Sequence, residues 1–198
     1  MKYILVVLIG YLLGSLSASI FMSRRVYGSD VRSQGSGNAG ATNMARVYGA
    51  KAGLITLAAD MAKTAAAMWL GWLILGETGL ALGGAACITG HCWPVYHGFS
   101  GGKGVSAGAA IALVIDWRVF VAVIAVFLLT AVLSKKVSLG SLCGAVTISI
   151  SALLFGLSLP RILLAVYGML LVAARHRDNI LRLIAGEEKD FTLGNKPG

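Results

Sequence analysis

The sequence predicts an all-α, polytopic integral membrane protein with about seven transmembrane helices. Of its 198 residues, 57% are hydrophobic and only 13% are charged, whereas soluble domains carry roughly 25% charged residues. The apolar residues are grouped in long blocks, as lipid-facing helices require. Because no long linker separates the blocks, we expect residues 1–198 to form a single membrane-embedded domain.

The apolar blocks define the candidate helices. They cover residues 3–22, 53–75, 79–95, 104–115, 118–134, 138–156 and 159–175. The fourth block is shorter than the roughly 17–25 residues of a full span. If it pairs with the third block as a re-entrant segment, the chain crosses the membrane five times, and this alternative stays open. With either odd number, the two termini lie on opposite sides.

The basic residues indicate the orientation. One side of the membrane receives only Lys2, Arg118 and Arg161. The other side receives Arg24, Arg25, Arg32, Arg46, Lys51, Lys103, Lys135, Lys136, Arg175, Arg177, Arg182, Lys189 and Lys196. By the positive-inside rule, this asymmetry predicts an outside N-terminus and a cytoplasmic C-terminus. Three polar stretches, 32–46, 90–106 and 175–188, then face the cytoplasm.

The net charge of +9 bears on the class of ligand. The basic residues lie between membrane spans and form no soluble basic face, so we expect no nucleic-acid binding. They favour contacts with membrane lipids and with anionic substrates. The cysteines Cys87, Cys92 and Cys143 lie in or beside apolar blocks without CxxC spacing. We therefore expect neither a disulfide nor a metal site.

The first polar stretch has the chemistry of an anion-binding loop. Its glycines at 35, 37 and 40 spell GxGxxG, but a membrane span precedes them in place of a strand, which excludes a dinucleotide-binding fold. Closely spaced glycines let backbone N–H groups converge on an anion. The side chains that add donors are Ser36, Asn38, Thr42, Asn43 and Arg46. A merely flexible turn would not need this set.

The second polar stretch contains Gly101, Gly102, Lys103 and Gly104 immediately before an apolar block. It is no nucleotide P-loop, because His97 and Gly104 replace the first glycine and the final Ser/Thr of that motif. An ammonium group within a glycine loop at a helix start still predicts a phosphate clamp. We expect the two histidines of this stretch to make structural hydrogen bonds.

The third polar stretch follows the last apolar block. His176 and Asn179 are three residues apart, which places them on one face of a helix. Arg177 and Arg182 are equally explained by a role in the site and by a general preference of basic residues for lipid headgroups and the inner face of the membrane. Within the membrane, Asp60 and Lys63 predict a buried ion pair. Ser141, in the sixth block, is a hydroxyl close to the same membrane surface.

These stretches, in this order, resemble the motifs of the PlsY family of bacterial membrane acyltransferases. The resembling segments are Gly35–Arg46, Gly90–Val105 and His176–Glu187. The departures, Ala39 and the pair Ser106-Ala107, touch no proposed ligand side chain. The resemblance extends over nearly the whole chain, because the intervening spans also agree in number and length.

The resemblance implies a function and a site. It implies acyl-phosphate as donor, glycerol 3-phosphate as acceptor, no cofactor, and a seven-helix monomer in the bacterial inner membrane with a cytoplasmic active site. The polar site carried over by residue is Ser36, Arg46, Lys103, Ser141, His176 and Asn179, with the glycine loop at 101–104 on the acceptor phosphate. Whether His176 is a base or positions substrate stays open.

A transporter for an anionic phosphorylated metabolite is the main alternative function. Glycine-broken loops and intramembrane charges occur in transporters too. However, the chain has no internal repeat, and its polar stretches fall on one predicted side of the membrane instead of at the midplane. These two features favour the enzyme.

Overall fold

The computed structural model describes residues 1–192, and this part of the chain contains helices and no strands. The predicted all-α class is therefore confirmed. Lys196, which the orientation argument used, lies outside the described residues. The helices are α1 Lys2–Ser15, α2 Ala18–Val26, α3 Ala41–Tyr48, α4 Ala50–Cys92, α5 Val105–Ile115, α6 Trp117–Ser134, α7 Val137–Leu154, α8 Leu159–Arg175 and α9 Arg177–Ile184.

Helix α4 is a hairpin of two antiparallel arms. Its helical geometry breaks at Leu75 and Gly76, where Gly76 has a φ of 57°. Beyond the break the arms pack so closely that a Cβ at Gly79 would clash with the backbone of Gly71. The second and third predicted blocks therefore form two arms joined by a very short turn.

Helix α1 packs against the second arm of α4 through small residues. A Cβ at Gly14 would clash with the backbone of Cys87, and a Cβ at Gly90 would clash with the backbone of Tyr11. Close backbone approach of this kind is typical of GxxxG contacts in membranes. Gly10 and Gly14, which form a GxxxG pattern in α1, both lie in this contact.

The main core lies between α4, α5, α6, α7 and α8. Its fully buried members include Met68, Ile88, Ile111, Ile115, Val119 and Leu164. A smaller cluster of Val31, Met44 and Ala52 joins α3 to α4. Large apolar side chains elsewhere on the helices are exposed, for example Leu133, Leu154 and Ile184. A surface of that character suits contact with lipid.

By length and composition, the described residues contain four helical segments able to cross a membrane, Lys2–Val26, Ala50–His97, Trp117–Ser134 and Val137–Leu154. A fifth is formed if α8 and α9, which meet at 64°, are taken as one broken span. The expected count of seven differs because the hairpin α4 counts once and α5 has only 11 residues.

The two ends of the bundle differ in chemistry. At one end, Arg161 pairs with Glu77 at 2.7 Å and donates to the carbonyl oxygen of Ile115, while Asp116 pairs with Arg118 at 2.8 Å. The three polar stretches occupy the other end. The separation of sparse and dense basic residues, inferred from the sequence, therefore corresponds to opposite ends of the fold.

Candidate active site

A cavity of about 320 Å³ lies where the three polar stretches meet. Direct contacts join the stretches: Arg32 donates to the carbonyl oxygens of His97 and Ser100, and Lys103 donates to Asn179. The polar residues lining the cavity are Ser36, Asn38, Thr42, Asn43, Arg46, His91, Lys103, Ser106, Ser138, Ser141, His176, Asn179, Glu188 and Lys189. The three polar stretches are therefore neighbours around one cavity.

Asn43 holds the first polar stretch in shape. Its Oδ1 accepts the backbone N–H of Ser36 at 2.9 Å, and its Nδ2 donates to the carbonyl oxygens of Val31 and Gln34. Gly35 has a φ of 59°, and a Cβ there would clash with Asn43 Oδ1, so this position favours glycine. From the sequence we expect Asn43 to donate to an anion, but the loop itself uses both N–H bonds of its amide.

Helix α3 directs its N-terminal end at the cavity. Gly40, which caps the helix, and the first-turn residues Ala41 and Thr42 all line the cavity. A helix N-terminus offers unpaired N–H groups and partial positive charge, which favours anions. Arg46 lines the cavity one turn further along, and its guanidinium lies 5.8 Å from the centre of the Phe191 ring.

The glycine-rich loop at 98–104 is anchored by neighbours on several elements. Arg32 Nη1 donates to the carbonyl oxygens of His97 and Ser100, at 2.9 and 3.1 Å. The N–H of Gly102 donates to the carbonyl oxygen of His91 at 3.0 Å, and the carbonyl oxygen of Gly102 accepts from Arg175 at 3.3 Å. This framework fixes the position from which Lys103 reaches the cavity.

Gly101, Gly102 and Gly104 do not line the cavity, whereas Lys103 does. A Cβ at Gly101 or Gly102 would clash with His91, and Gly104 has a φ of 83° at the start of α5. These glycines therefore serve close packing and a left-handed turn. Because His91 already uses the N–H of Gly102, it is the ammonium of Lys103 that this loop presents to the cavity.

A buried ion pair supports the loop from below. Lys63 Nζ lies 2.8 Å from Asp60 Oδ1, with both side chains almost fully buried. His91 Nδ1 lies 3.2 Å from Lys63 Nζ and 3.6 Å from Asp60 Oδ1, and Lys63 also donates to the carbonyl oxygen of Leu16. The predicted pair is confirmed. The ion pair links α4 to the break between α1 and α2. It also contacts His91, the residue on which Gly101 and Gly102 pack.

His176 lies at the bend between α8 and α9 and is buried. Its Nδ1 lies 2.8 Å from the carbonyl oxygen of Val172. A carbonyl oxygen only accepts hydrogen bonds, so Nδ1 carries the hydrogen, and in the neutral ring Nε2 holds the lone pair. A backbone carbonyl, and not a carboxylate, therefore orients this imidazole.

Lys103, Asn179 and Glu188 form a chain of polar contacts at the cavity. Lys103 donates to Asn179 Oδ1, and Asn179 Nδ2 donates to Glu188 at 2.6 Å. Glu188 also accepts from Ser138 at 2.6 Å and from Arg182 at 2.7 Å. The Glu188 carboxylate is thus held by three donors, Ser138 on α7 and both Asn179 and Arg182 on α9.

The electrostatic environment of these groups differs from water. Burial lowers the pKa of Lys103, and the nearby Arg182 cation lowers it further. Burial alone would raise the pKa of Glu188, but hydrogen bonds from Ser138, Asn179 and Arg182 hold it below its ordinary value. Because an anion beside Lys103 would favour the charged ammonium, this end of the cavity is suited to a negatively charged ligand.

The remaining lining of the cavity is apolar. Ser141 stands at the boundary, where its Oγ donates to the carbonyl oxygen of Val137 at 2.9 Å. Beyond it the walls come from α5, α6, α7 and α8 and include Ile111, Phe120, Val123, Ile124, Phe127, Ile148 and Met169. We call this part the apolar groove. The cavity is therefore amphipathic, with a cationic end continuous with a hydrocarbon-like end.

Comparison with known proteins identifies the family. A sequence model described as "Glycerol-3-phosphate acyltransferase" matches residues 4–186. The chain is 43% identical over 197 residues to the glycerol-3-phosphate acyltransferase of Shouchella clausii, covering 96% of this chain and 95% of that protein. The corresponding protein of Finegoldia magna is 37% identical over 196 residues, covering 95% and 97%. The chain belongs to the glycerol-3-phosphate acyltransferase family.

Solved structures agree in fold. The integral membrane glycerol 3-phosphate acyltransferase PlsY (YgiH), in its glycerol 3-phosphate form, superposes with a TM-score of 0.91 at 30% identity, covering 97% of this chain and 96% of that chain. Its lysophosphatidic acid form gives a TM-score of 0.90 at 29% identity, with the same coverage. The acyltransferase described here is therefore an integral membrane protein, as its composition predicts.

The structure also adds residues that sequence reasoning missed in this acyltransferase. Glu188 lies one residue beyond the third motif segment, and Ser138 lies one turn before Ser141, yet both line the cavity. The pair Glu187-Glu188 at the end of that segment was the available signal for Glu188. His91 also lines the cavity, although the sequence suggested only a structural role for it.

The Asp60–Lys63 pair yields a stability prediction. Asp60→Asn leaves a buried ammonium without its counter-charge, which costs about 3–5 kcal/mol. The double variant Asp60→Asn with Lys63→Met removes both charges and should recover most of that loss. Thermal unfolding of the detergent-purified proteins compares the two variants. Equal destabilisation of the single and double variants would contradict the assigned ion pair.

Proposed function

We propose that this family member transfers a fatty acyl group from acyl-phosphate to glycerol 3-phosphate, releasing lysophosphatidic acid and inorganic phosphate. The amphipathic cavity carries the proposal. Its cationic end suits phosphate groups, and the apolar groove beyond Ser141 suits an acyl chain. A substrate with one phosphate and one long hydrocarbon chain matches both parts at once.

The identity of the acceptor rests on the relatives. The solved PlsY structures are described as glycerol 3-phosphate and lysophosphatidic acid forms. Since the present chain shares their fold over almost its entire length, we infer that it uses the same acceptor and forms the same product. The proposed reaction is therefore the first acylation step of phospholipid synthesis.

The chemistry of the cavity supports an acyl-phosphate donor. Two phosphorylated substrates repel each other, and holding them together needs fixed positive charge. We assign this role to Arg46 and Lys103, with Ser36, Asn38, Thr42 and the N-terminal end of α3 as neutral donors. An acyl-phosphate is a mixed anhydride that is already activated, so the reaction requires no covalent nucleophile and no coenzyme A.

The proposed reaction is a direct displacement. A hydroxyl oxygen of glycerol 3-phosphate forms a bond to the carbonyl carbon of the donor, and the bond from that carbon to the phosphate oxygen breaks. Lys103 and Asn179 lie where they can stabilise charge that develops during the transfer. The hydroxyl proton leaves with the departing phosphate, which becomes inorganic phosphate.

His176 is assigned to position the acceptor. Its Nε2 lone pair can accept a hydrogen bond from the attacking hydroxyl, because Nδ1 is committed to Val172. The ring has a neutral carbonyl as its orienting partner and shares the cavity with the cationic Lys103. Both features disfavour an imidazolium ion, so we infer that phosphate takes the proton. The alternative role of His176 is that of a general base, and substitutions of His176 distinguish the two roles.

Topology and location complete the proposal. We propose seven membrane crossings, with the two arms of α4 counted separately and α5 lining the site, an outside N-terminus and a cytoplasmic C-terminus. The active site then faces the cytoplasm from the bacterial inner membrane, where soluble glycerol 3-phosphate can reach it. We also propose a monomer as the functional unit.

The donor is tested by a direct assay. Purified protein, supplied with palmitoyl phosphate and glycerol 3-phosphate, should form lysophosphatidic acid and inorganic phosphate without added metal or coenzyme A. Mass spectrometry of the lipid and a phosphate assay measure the two products. Strict dependence on palmitoyl-CoA would disprove the acyl-phosphate assignment.

The two cations that we assign to the phosphate groups have testable contributions. Arg46→Ala and Lys103→Ala each remove charge-assisted hydrogen bonds to phosphate, worth about 1.5–3 kcal/mol apiece, which lowers kcat/KM about 10- to 200-fold. Lys51→Ala, at an exposed position on the same end of the bundle, is the matched control and should retain wild-type kinetics. Near-normal rates in both site variants would rule out this arrangement.

His176→Gln separates positioning from proton transfer. The glutamine amide can still accept a hydrogen bond, so kcat should fall less than about hundredfold and the pH–rate profile should keep its shape. His176→Ala should lose more activity because it offers no acceptor. A loss of about 10²–10⁴ in the Gln variant, with a flattened pH–rate profile, would identify His176 as the general base instead.

A further inference from the structure

The helical glycines of this chain fall into two groups. In the first group, including Gly14, Gly79 and Gly90, a Cβ would clash with the backbone of a neighbouring helix. These positions require glycine because two helices approach closely. Substitution at such a position therefore disturbs the packing of the bundle.

The second group lines the cavity and has free space above it. A Cβ at Gly108 would meet no atom within 4 Å, a Cβ at Gly144 would lie 3.6 Å from Val123, and a Cβ at Gly168 would lie 4.0 Å from Ile88. All three glycines contribute to the cavity wall, from α5, α7 and α8 respectively. Glycine within a helix costs roughly 0.5–1 kcal/mol relative to alanine, and helix packing does not explain it at these positions.

Gly144 and Gly168 lie at different depths in the apolar groove. Gly144 is three residues from Ser141, which corresponds to about 4.5 Å along α7 at 1.5 Å per residue. Gly168 is eight residues from His176, or about 12 Å along α8. The glycines therefore border the groove both near its polar end and far from it.

We propose that Gly168 determines the longest acyl chain that the enzyme accepts, and that Gly108 and Gly144 keep the rest of the apolar groove open to the chain. The proposal rests on the acyl-transfer function argued above and adds its specificity. The missing side chains leave room for methylene groups between the helices. A side chain at Gly168 would obstruct only the distal part of a long chain, and one at Gly144 would obstruct the part next to the carbonyl.

Gly168→Leu tests the distal position. Its reaction is run with glycerol 3-phosphate and an equimolar mixture of octanoyl and palmitoyl phosphate, and the two lysophosphatidic acids are quantified by mass spectrometry. An extended octanoyl chain is shorter than the estimated depth of Gly168, and an extended palmitoyl chain is longer. The palmitoyl-to-octanoyl product ratio should fall at least about tenfold, since one misfitting methylene in an apolar pocket is worth 10- to 200-fold.

Companion variants exclude a general effect. Val146→Phe adds bulk to α7 at an exposed position outside the cavity, and its product ratio should equal that of the wild type. Gly168→Ala, whose Cβ fits, should fold like the wild type and keep octanoyl transfer. Gly144→Leu should reduce transfer of both chains while the KM for glycerol 3-phosphate stays within about twofold, because the obstruction lies on the acyl side.

The outcomes are distinct. An unchanged product ratio in Gly168→Leu would overturn the proposal, and so would a loss of octanoyl transfer equal to the loss of palmitoyl transfer. If the wild type makes no lysophosphatidic acid from either acyl-phosphate, the donor assignment fails. The same mixture offered as acyl-CoA esters then tests the groove separately, with the same expected shift in ratio.

Discussion

The central constraint on this fold is that a charged site must be built at the end of a bundle whose body is apolar. Cationic side chains are costly to bury, so the helices carry polar loops at one end, where Arg46 and Lys103 border the cavity, and leave hydrocarbon-like walls below. The remaining features follow from this junction between polar loops and apolar walls. The glycine loop is anchored by Arg32 and Arg175, and the Asp60–Lys63 pair neutralises its own charge where water is scarce.

The junction also explains how one site can serve a water-soluble and a lipid-soluble substrate. A small phosphorylated acceptor needs access to water, whereas an acyl chain needs an apolar path. The helices α5, α6, α7 and α8 supply such a path directly beneath the polar loops, so the reacting groups can meet at the boundary marked by Ser141. A site at mid-membrane, as a transporter requires, would not place both substrates in their preferred surroundings.

Much of this arrangement could be predicted from sequence, because its signals are local. Apolar block length gave the helices, charge spacing gave the Asp60–Lys63 pair, and glycine-rich motifs marked the loops. What could not be predicted depends on side-chain geometry that leaves no pattern in the sequence, even over short distances. His176 is oriented by the carbonyl oxygen of Val172 one helical turn earlier, Asn43 bonds to the backbone of its own loop, and Gly102 packs on His91. Glu188 was missed because its contact with Ser138 joins α7 to the segment after α9, two parts of the chain 50 residues apart.

The most direct measurement is a structure of the protein with glycerol 3-phosphate and a non-hydrolysable phosphonate analogue of the acyl donor bound together. Both phosphorus-containing groups should lie in the cavity between Arg46 and Lys103, with the acyl chain along the apolar groove past Gly144. Phosphorus-containing groups bound at opposite ends of the bundle, or an acyl chain outside the groove, would contradict the proposed site.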